Sequence, residues 1–493
     1  MAPDNGNKSK HPSVDKSQLR YGNTTPDQID REREECLIRK LDFRVIPLVM
    51  VIYLFSFLDR INIGNARLYG LEKDLKMTTN NHQYQIVVSI LFVTYCLFEV
   101  PSNLLLKKFS PSRYIAIIAI IWGLIATLSG LTQSYHELLA CRVLLGLFES
   151  GLFPGLITYL TLFYNKRAIA LRVGYLFVAA AIAGAVGGLI AYGIGFMDGV
   201  GGYRAWRWIF IIEGIPSIVV GIMFWIFMPN DLDTSHFMSL EDRAFLVMRR
   251  EREVGQTASA QKFHWDDVKE GASDWKIWSF CIAQFGADTM LYGFSIFLPT
   301  IIHGIGAWTV PQAQALTIPV YTIGAVTYLV VAWISDKSQQ RALYTCLFCA
   351  VSIIGYGLLI SNSGSKAHYT GCFLVAMGLY VAVGIPLAWM PTNLPRYGKR
   401  TFATGLQVAI GNASGIMAPF LYPATDGPRY VKGHGVTLAL VGFAAVVYAS
   451  MSWWLRRENR ARMAFERDGL MEGKTDDEIN EIGDRNPRFL YTC

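Results

Sequence analysis

Stretches of about twenty apolar residues, the length of helix that crosses a ~30 Å hydrocarbon layer, recur twelve times along this chain. The pattern predicts spans at 45–66, 84–106, 113–132, 136–163, 173–197, 206–228, 275–302, 312–335, 342–361, 368–390, 399–423 and 434–456. Backbone polar groups find no water in hydrocarbon, so windows of this length are read as helices. With 52% hydrophobic and 17% charged residues in 493, the expectation is an all-α membrane protein. Its twelve transmembrane helices form two six-helix bundles, 45–228 and 275–456. The remaining parts are a tail at 1–44, a linker loop at 229–274 and a second tail at 457–493.

The net charge of +7 invites comparison with nucleic-acid binders, but the positions of the basic residues give another cause. If both termini are cytoplasmic, most Lys and Arg fall in the inner loops and tails, including Lys107-Lys108-Arg113, Lys166-Arg167-Arg172 and Arg396-Lys399-Arg400. That is the positive-inside bias, and no nucleic-acid partner is implied. Residues 1–30 are polar and read as a disordered tail, whereas Arg31 to Arg44 interleave charge with Leu37, Ile38 and Leu41, as an amphipathic lead-in helix does. No cleavable signal peptide precedes the first span. The eight cysteines suggest no secreted disulfide framework. Cys346-x-x-Cys349 sits in an apolar helix without flanking histidines and reads as packing. No nucleophile, metal or phosphate-loop constellation is present, so enzyme activity and a cofactor are not expected.

Ionisable side chains within spans are costly and mark pathways through membrane proteins. Asp59 and Arg60 adjoin in the first span, and Arg142 and Glu149 lie seven apart on one face of the fourth. From the helix rise, Arg60 and Arg142 each lie about 9 Å below the same surface, with Glu149 about 10 Å deeper. Two cations and two carboxylates sum to zero. Protonation of Asp59 and Glu149 leaves both arginines uncompensated, and a carboxylate then becomes their favoured partner. The chemistry implied is proton-coupled transport of a small organic anion; the bland alternative is a static ion cluster holding the helices. Glu99 and Glu213 read as structural or gating. Gly151-Pro154 in the fourth span and Gly384-Pro386 in the tenth are a matched pair of candidate kinks.

These residues carry a family resemblance. Leu58-Asp59-Arg60-Ile61-Asn62-Ile63-Gly64-Asn65-Ala66 resembles the first-helix signature of the anion:cation symporters of the major facilitator superfamily. Phe98-Glu99-Val100-Pro101-Ser102-Asn103 and the run Arg142 to Gly155 resemble further signatures of the fungal allantoate/nicotinate permease branch. The resemblance implies proton sites at Asp59 and Glu149, and coupling and anion binding at Arg60 and Arg142. It also implies a substrate-facing Tyr95 and a polar contact at Asn393. The loop Lys107 to Arg113 departs from the superfamily pattern, lacking its Gly and Asp.

In the second half, chemistry alone nominates Gln284, Tyr292, Tyr321, Gln407 and Asn412 as neutral hydrogen-bonding groups, with helix–helix hydrogen bonding as the alternative for each. The expected protein is a monomeric plasma-membrane importer of a carboxylate vitamin or nitrogen source such as nicotinate, pantothenate or allantoate, moved with protons across the lipid bilayer. One rival is a proton-coupled exporter of a toxin or secondary metabolite. Exporters of the superfamily carry Gly-Pro-x-x-Gly-Gly in the fifth helix, where this chain has Ala183-Gly184-Ala185-Val186-Gly187-Gly188. The other rival is a nutrient sensor, for which the tails offer no signalling domain.

Overall fold

The computed structural model describes residues 26–493 apart from 79–81, 165, 253–263, 465–472, 474, 476–477 and 480–481. The tail expected to be disordered lies outside the described residues as far as 25, as do the middle of the long loop and part of the second tail. All regular structure among the described residues is helical.

The first half comprises α1 (Pro26–Leu68), the short α2 (Leu71–Asp74), α3 (Gln83–Lys108), α4 (Pro111–Ser129), α5 (Tyr135–Glu149), α6 (Leu152–Thr161), α7 (Lys166–Ile194) and α8 (Ala205–Phe227). The loop carries α9 (Leu240–Arg252) and α10 (Trp265–Ser273). The second half comprises α11 (Trp275–Ile305), α12 (Val310–Ser338), α13 (Arg341–Ile360), α14 (Ser365–Thr392), α15 (Tyr397–Met417) and α16 (Val431–Met463). Local sequence sets several starts. Asp274 caps α11 by accepting from the Lys276 amide, and Thr309 and Gln312 close a capping box on α12.

Among the described residues ten helices are long and apolar enough to cross a membrane, with α5 and α6 counted as one stretch. The other two of the twelve expected positions are α3 and α15. α3 is apolar from Gln83 to Glu99 among the residues described there, and α15 carries Lys399, Arg400, Gln407 and Asn412. Both face the interior between the two halves, where polar side chains have partners other than lipid.

The expected lead-in and first span merge into one 43-residue helix. Its amphipathic start is tied down by Arg172 of α7, which donates twice to Asp42 at 2.9 and 2.5 Å, and by Arg33 bonded to Asp242 of α9. The fourth expected span is interrupted at Ser150 and Gly151, dividing α5 from α6. Its expected counterpart differs: α14 runs unbroken through Pro386 and Pro391.

The two halves meet along α1 with α11, α3 with α15 and α7 with α12. α1 and α11 run in the same direction, Gly64 lying beside Ile296. One end of the molecule therefore carries the starts of both helices together with the loop helices and the second tail. At the opposite end the halves close tightly. A methyl group on Gly64 would fall 1.9 Å from the Ile296 carbonyl oxygen, so only glycine permits that approach. Arg67 stacks over Tyr84 at 4.4 Å and over Phe297 at 5.7 Å, and Ser89 donates to the Ile416 carbonyl at 2.8 Å. Toward the tail end, Cys96 reaches the Ala409 carbonyl at 3.7 Å, and Phe177 of α7 packs on Tyr328 of α12 at 6.2 Å.

Candidate functional site

Successive residues on a helix point about 100° apart, which sends Asp59 and Arg60 of α1 to different neighbours. The Arg60 Nε donates to Glu149 Oε1 at 2.6 Å, and Ser56 Oγ, one turn earlier on α1, donates to the same oxygen at 2.5 Å. Asp59 Oδ2 instead accepts from the Trp122 indole of α4 at 2.9 Å. Arg142 reaches back from α5 to the Asp59 carbonyl at 3.4 Å and lies over the Phe210 ring at 5.4 Å. The pairing thus crosses between helices: Arg60 is bonded to Glu149, and Arg142 faces an aromatic ring and a backbone carbonyl.

All four charged side chains are at most 5% exposed. Their hydrogen-bonding capacity is only partly used. Asp59 Oδ1, one Arg60 amino group, and the Nε and one amino group of Arg142 have no hydrogen-bond partner among the described residues. A buried network left in that condition is poised to rearrange, because unsatisfied buried polar groups are costly.

Arg60 opens onto a cavity between the two halves. Its first-half wall includes Tyr53, Arg60, Tyr95 and Phe153, with the Arg60 guanidinium 4.7 Å from the centre of the Tyr95 ring. The second-half wall includes Asp288, Tyr292, Tyr380 and Asn412, with the Tyr292 hydroxyl donating to Asn412 Oδ1 at 2.5 Å. Aromatic rings dominate, Tyr53 packing on Phe153 at 5.3 Å and Phe153 on Phe177 at 6.0 Å. An aromatic box with one guanidinium suits a small, flat anion.

Of the side chains nominated from sequence, the structure brings Arg60, Tyr95, Tyr292 and Asn412 to this cavity. Glu149 stands directly behind Arg60, with Asp59 and Arg142 deeper in the first half. Gln284 and Gln407 are bonded to each other at 3.1 Å, outside the lining. Tyr321 donates to the Ser295 carbonyl at 2.8 Å and packs its ring against Gly184. Glu99 and Glu213 are buried, and neither has a hydrogen-bond partner among the described residues. Gly151 lets α5 and α6 pass close to Ser102 of α3, Pro154 sits in the first turn of α6, and Gly384 leaves room for the Tyr328 ring two residues before Pro386.

Asn393 requires a correction. It lies at the tail end of α14, where its amide donates to the Thr492 carbonyl at 3.0 Å and its oxygen accepts from the Thr492 amide at 2.8 Å. Both polar groups of the side chain are consumed by the tail, so it is no cavity contact.

The tail itself is built into the end of the second half. Asp484, 1% exposed, is bonded to Lys276 of α11 and to Lys399 of α15, the latter at 2.8 Å. Lys399 also reaches Asp274 at 2.8 Å and Glu270 of α10 at 3.1 Å. Burial alone would raise the Asp484 carboxyl, but Lys276 and Lys399 override it and hold it down at about 2. Arg462 of α16 donates to the carbonyls of Asp484, Asn486 and Phe489.

Sequence reasoning chose none of Ser56, Trp122, Asp288 and the tail cluster as site residues. Ser56 and Asp288 carried a usable signal, as polar residues within apolar runs. Trp122 carried none, since tryptophan in a span needs no special explanation.

Comparison with known proteins agrees with this architecture. Residues 49–419 match the family model described as Major Facilitator Superfamily. An uncharacterised transporter of Schizosaccharomyces pombe is 38% identical, covering 94% of this chain and 91% of that protein. The high-affinity nicotinic acid transporter of Saccharomyces cerevisiae is 31% identical over 93% of this chain and 85% of its own length. Among solved structures, a bacterial homologue of the human lysosomal transporter Spinster, inward-facing and unoccupied, superposes with a TM-score of 0.64 at 16% identity, covering 83% of this chain and 96% of that one. That likeness concerns the fold alone. The chain belongs to the major facilitator superfamily, a family of membrane transporters rather than enzymes, in the fungal permease branch that its motifs resemble.

Proposed function

We propose that this transporter is a proton-coupled symporter that imports a small carboxylate by alternating access. The observation that carries the reading is the 2.6 Å bond between Arg60 and Glu149 at the cavity wall. A substrate carboxylate and the Glu149 carboxylate compete for one guanidinium. When Glu149 takes a proton, Arg60 is released to the cavity and binds the anion bidentately. When the anion leaves, Arg60 returns to Glu149 and the proton departs. Asp59, held by Trp122, balances Arg142 as a second proton site, and Tyr95 steadies Arg60 through its ring face.

In this reading twelve helices span the plasma membrane as two six-helix bundles, and both termini are cytoplasmic. The end that carries the loop helices and the second tail then faces the cytoplasm, and a monomer suffices. The nicotinic acid transporter among the relatives supports a carboxylate cargo of that size, with nicotinate, pantothenate and allantoate as candidates.

The test is uptake of labelled carboxylates into liposomes containing the purified protein. Accumulation is expected to follow an imposed proton gradient and to collapse with a protonophore. Glu149→Gln is expected to abolish accumulation while sparing exchange of anion between the two sides. Net export, or uptake indifferent to the gradient, would sink the reading.

A further inference from the structure

The cavity has one charged residue on each wall, Arg60 from α1 and Asp288 from α11. Glu149 behind the first-half wall is bonded to Arg60, and Asp59 deeper in that half to Trp122. Asp288 stands at the cavity wall itself. It is 5% exposed, and no cation pairs with it among the described residues. Among the described residues its hydrogen-bond donor is Gln284, at 2.8 Å.

That single bond is fixed from behind. Gln407 Nε2 and the Tyr448 hydroxyl both donate to the Gln284 carbonyl oxygen, at 3.1 and 3.4 Å. With its acceptor occupied, Gln284 turns its amino group to Asp288 Oδ1 and to the Val383 carbonyl. The second oxygen, Oδ2, rests against α15 at Gly411, where a methyl group would fall 2.1 Å from it. Three helices thus hold a carboxylate at the cavity wall with one oxygen bonded and the other without a cation. Gln284 and Gln407 act here as positioning residues.

We propose that Asp288 receives a nitrogen donor, cationic or N–H, on the end of the substrate opposite its carboxylate, so that the cargo is a dipolar molecule spanning Arg60 and Asp288. This rests on Arg60 as the carboxylate site. The aromatic walls between the two charges accommodate a flat spacer. A ligand carrying both ends brings no net charge into the bundle and leaves neither wall unpaired, which a simple monoanion does not achieve.

The test compares two probes of nearly equal shape, 3-(aminomethyl)benzoate and 3-ethylbenzoate, as competitors for binding to the purified full-length protein. The wild type is expected to prefer the aminomethyl probe by about tenfold or more, the range of a hydrogen bond to a charged group. Asp288→Asn is expected to reduce that preference to within about threefold of unity, and Asp288→Glu to retain its direction; thermal unfolding of each variant reports its folding. Equal binding of the two probes by the wild type, or an unchanged preference in Asp288→Asn, overturns the proposal and leaves the carboxylate site standing. Binding of neither probe overturns both.

Discussion

The ionic cluster at mid-bundle and the one beneath the second half are satisfied to different degrees. At the tail end, Lys276, Lys399, Asp274, Glu270 and Asp484 share their charges so fully that none of them leaves a buried nitrogen or oxygen without a partner. At mid-bundle, Asp59, Arg60 and Arg142 all retain unpartnered polar atoms. A saturated cluster has a single low-energy arrangement and holds parts together. An unsaturated one has several of similar energy and can switch between them. The difference separates a fastening from a moving part.

The comparison breaks most directly at Arg60. Arg60→Ala is expected to abolish carboxylate uptake, and Arg60→Lys to retain a few per cent at most, because an ammonium lacks the bidentate fork. Near-normal uptake by Arg60→Ala would return the mid-bundle cluster to a static role. Next in size is Gly64→Val, whose side chain cannot fit against the Ile296 carbonyl. Closure at that end is expected to fail, with uptake falling about a hundredfold while folding, followed by thermal unfolding in detergent, is largely kept.

At the fastening, Asp484→Asn is expected to lower stability by about 1–3 kcal/mol, the range for loss of a hydrogen bond to a charged group. Asp274 and Glu270 still serve the two lysines, so the loss stops short of collapse. Transport KM should hardly move, and a large KM change would blur the distinction drawn here. The pH behaviour sharpens it further. The folded-state pKa of Asp484 lies below its unfolded value, at about 2, so its stabilisation is complete above about pH 4 and is lost as the pH falls toward 2. Between pH 5 and 8 tail docking should therefore be constant, measured by protection of the tail from protease, while transport rate varies. The smallest effect is expected at Tyr95. Tyr95→Phe keeps the ring under Arg60 and should cost less than about threefold in affinity, with Tyr95→Leu costing more.

Much of the architecture was legible because hydrocarbon imposes a coarse rule on length and apolarity that a single sequence displays. Among the described residues α15 falls outside that rule, and it packs against α3 of the other half, where its polar groups have partners other than lipid. Asp59, Arg60, Arg142 and Glu149 were conspicuous for the same reason: charge within an apolar run is rare. Their partners were not legible. Which arginine meets which carboxylate depends on rotation of α1 against α5, and sequence spacing within one helix says nothing of its neighbour. Asn393 shows the opposite limit. It stands in a motif-like context, yet the group that captures it is Thr492, 99 residues further along, and no local pattern links the two. Gln284 and Asp288 lay one helical turn apart in plain view, but the role of the pair depends on Gln407 and Tyr448, supplied by two other helices.

At Gly64 the two halves touch where one partner has no side chain and the other offers only its carbonyl. Such a hinge plate is indifferent to cargo. The lining a few turns away can be exchanged, residue by residue, to suit a different nutrient without reworking the latch, and one chassis can then diversify into many permeases.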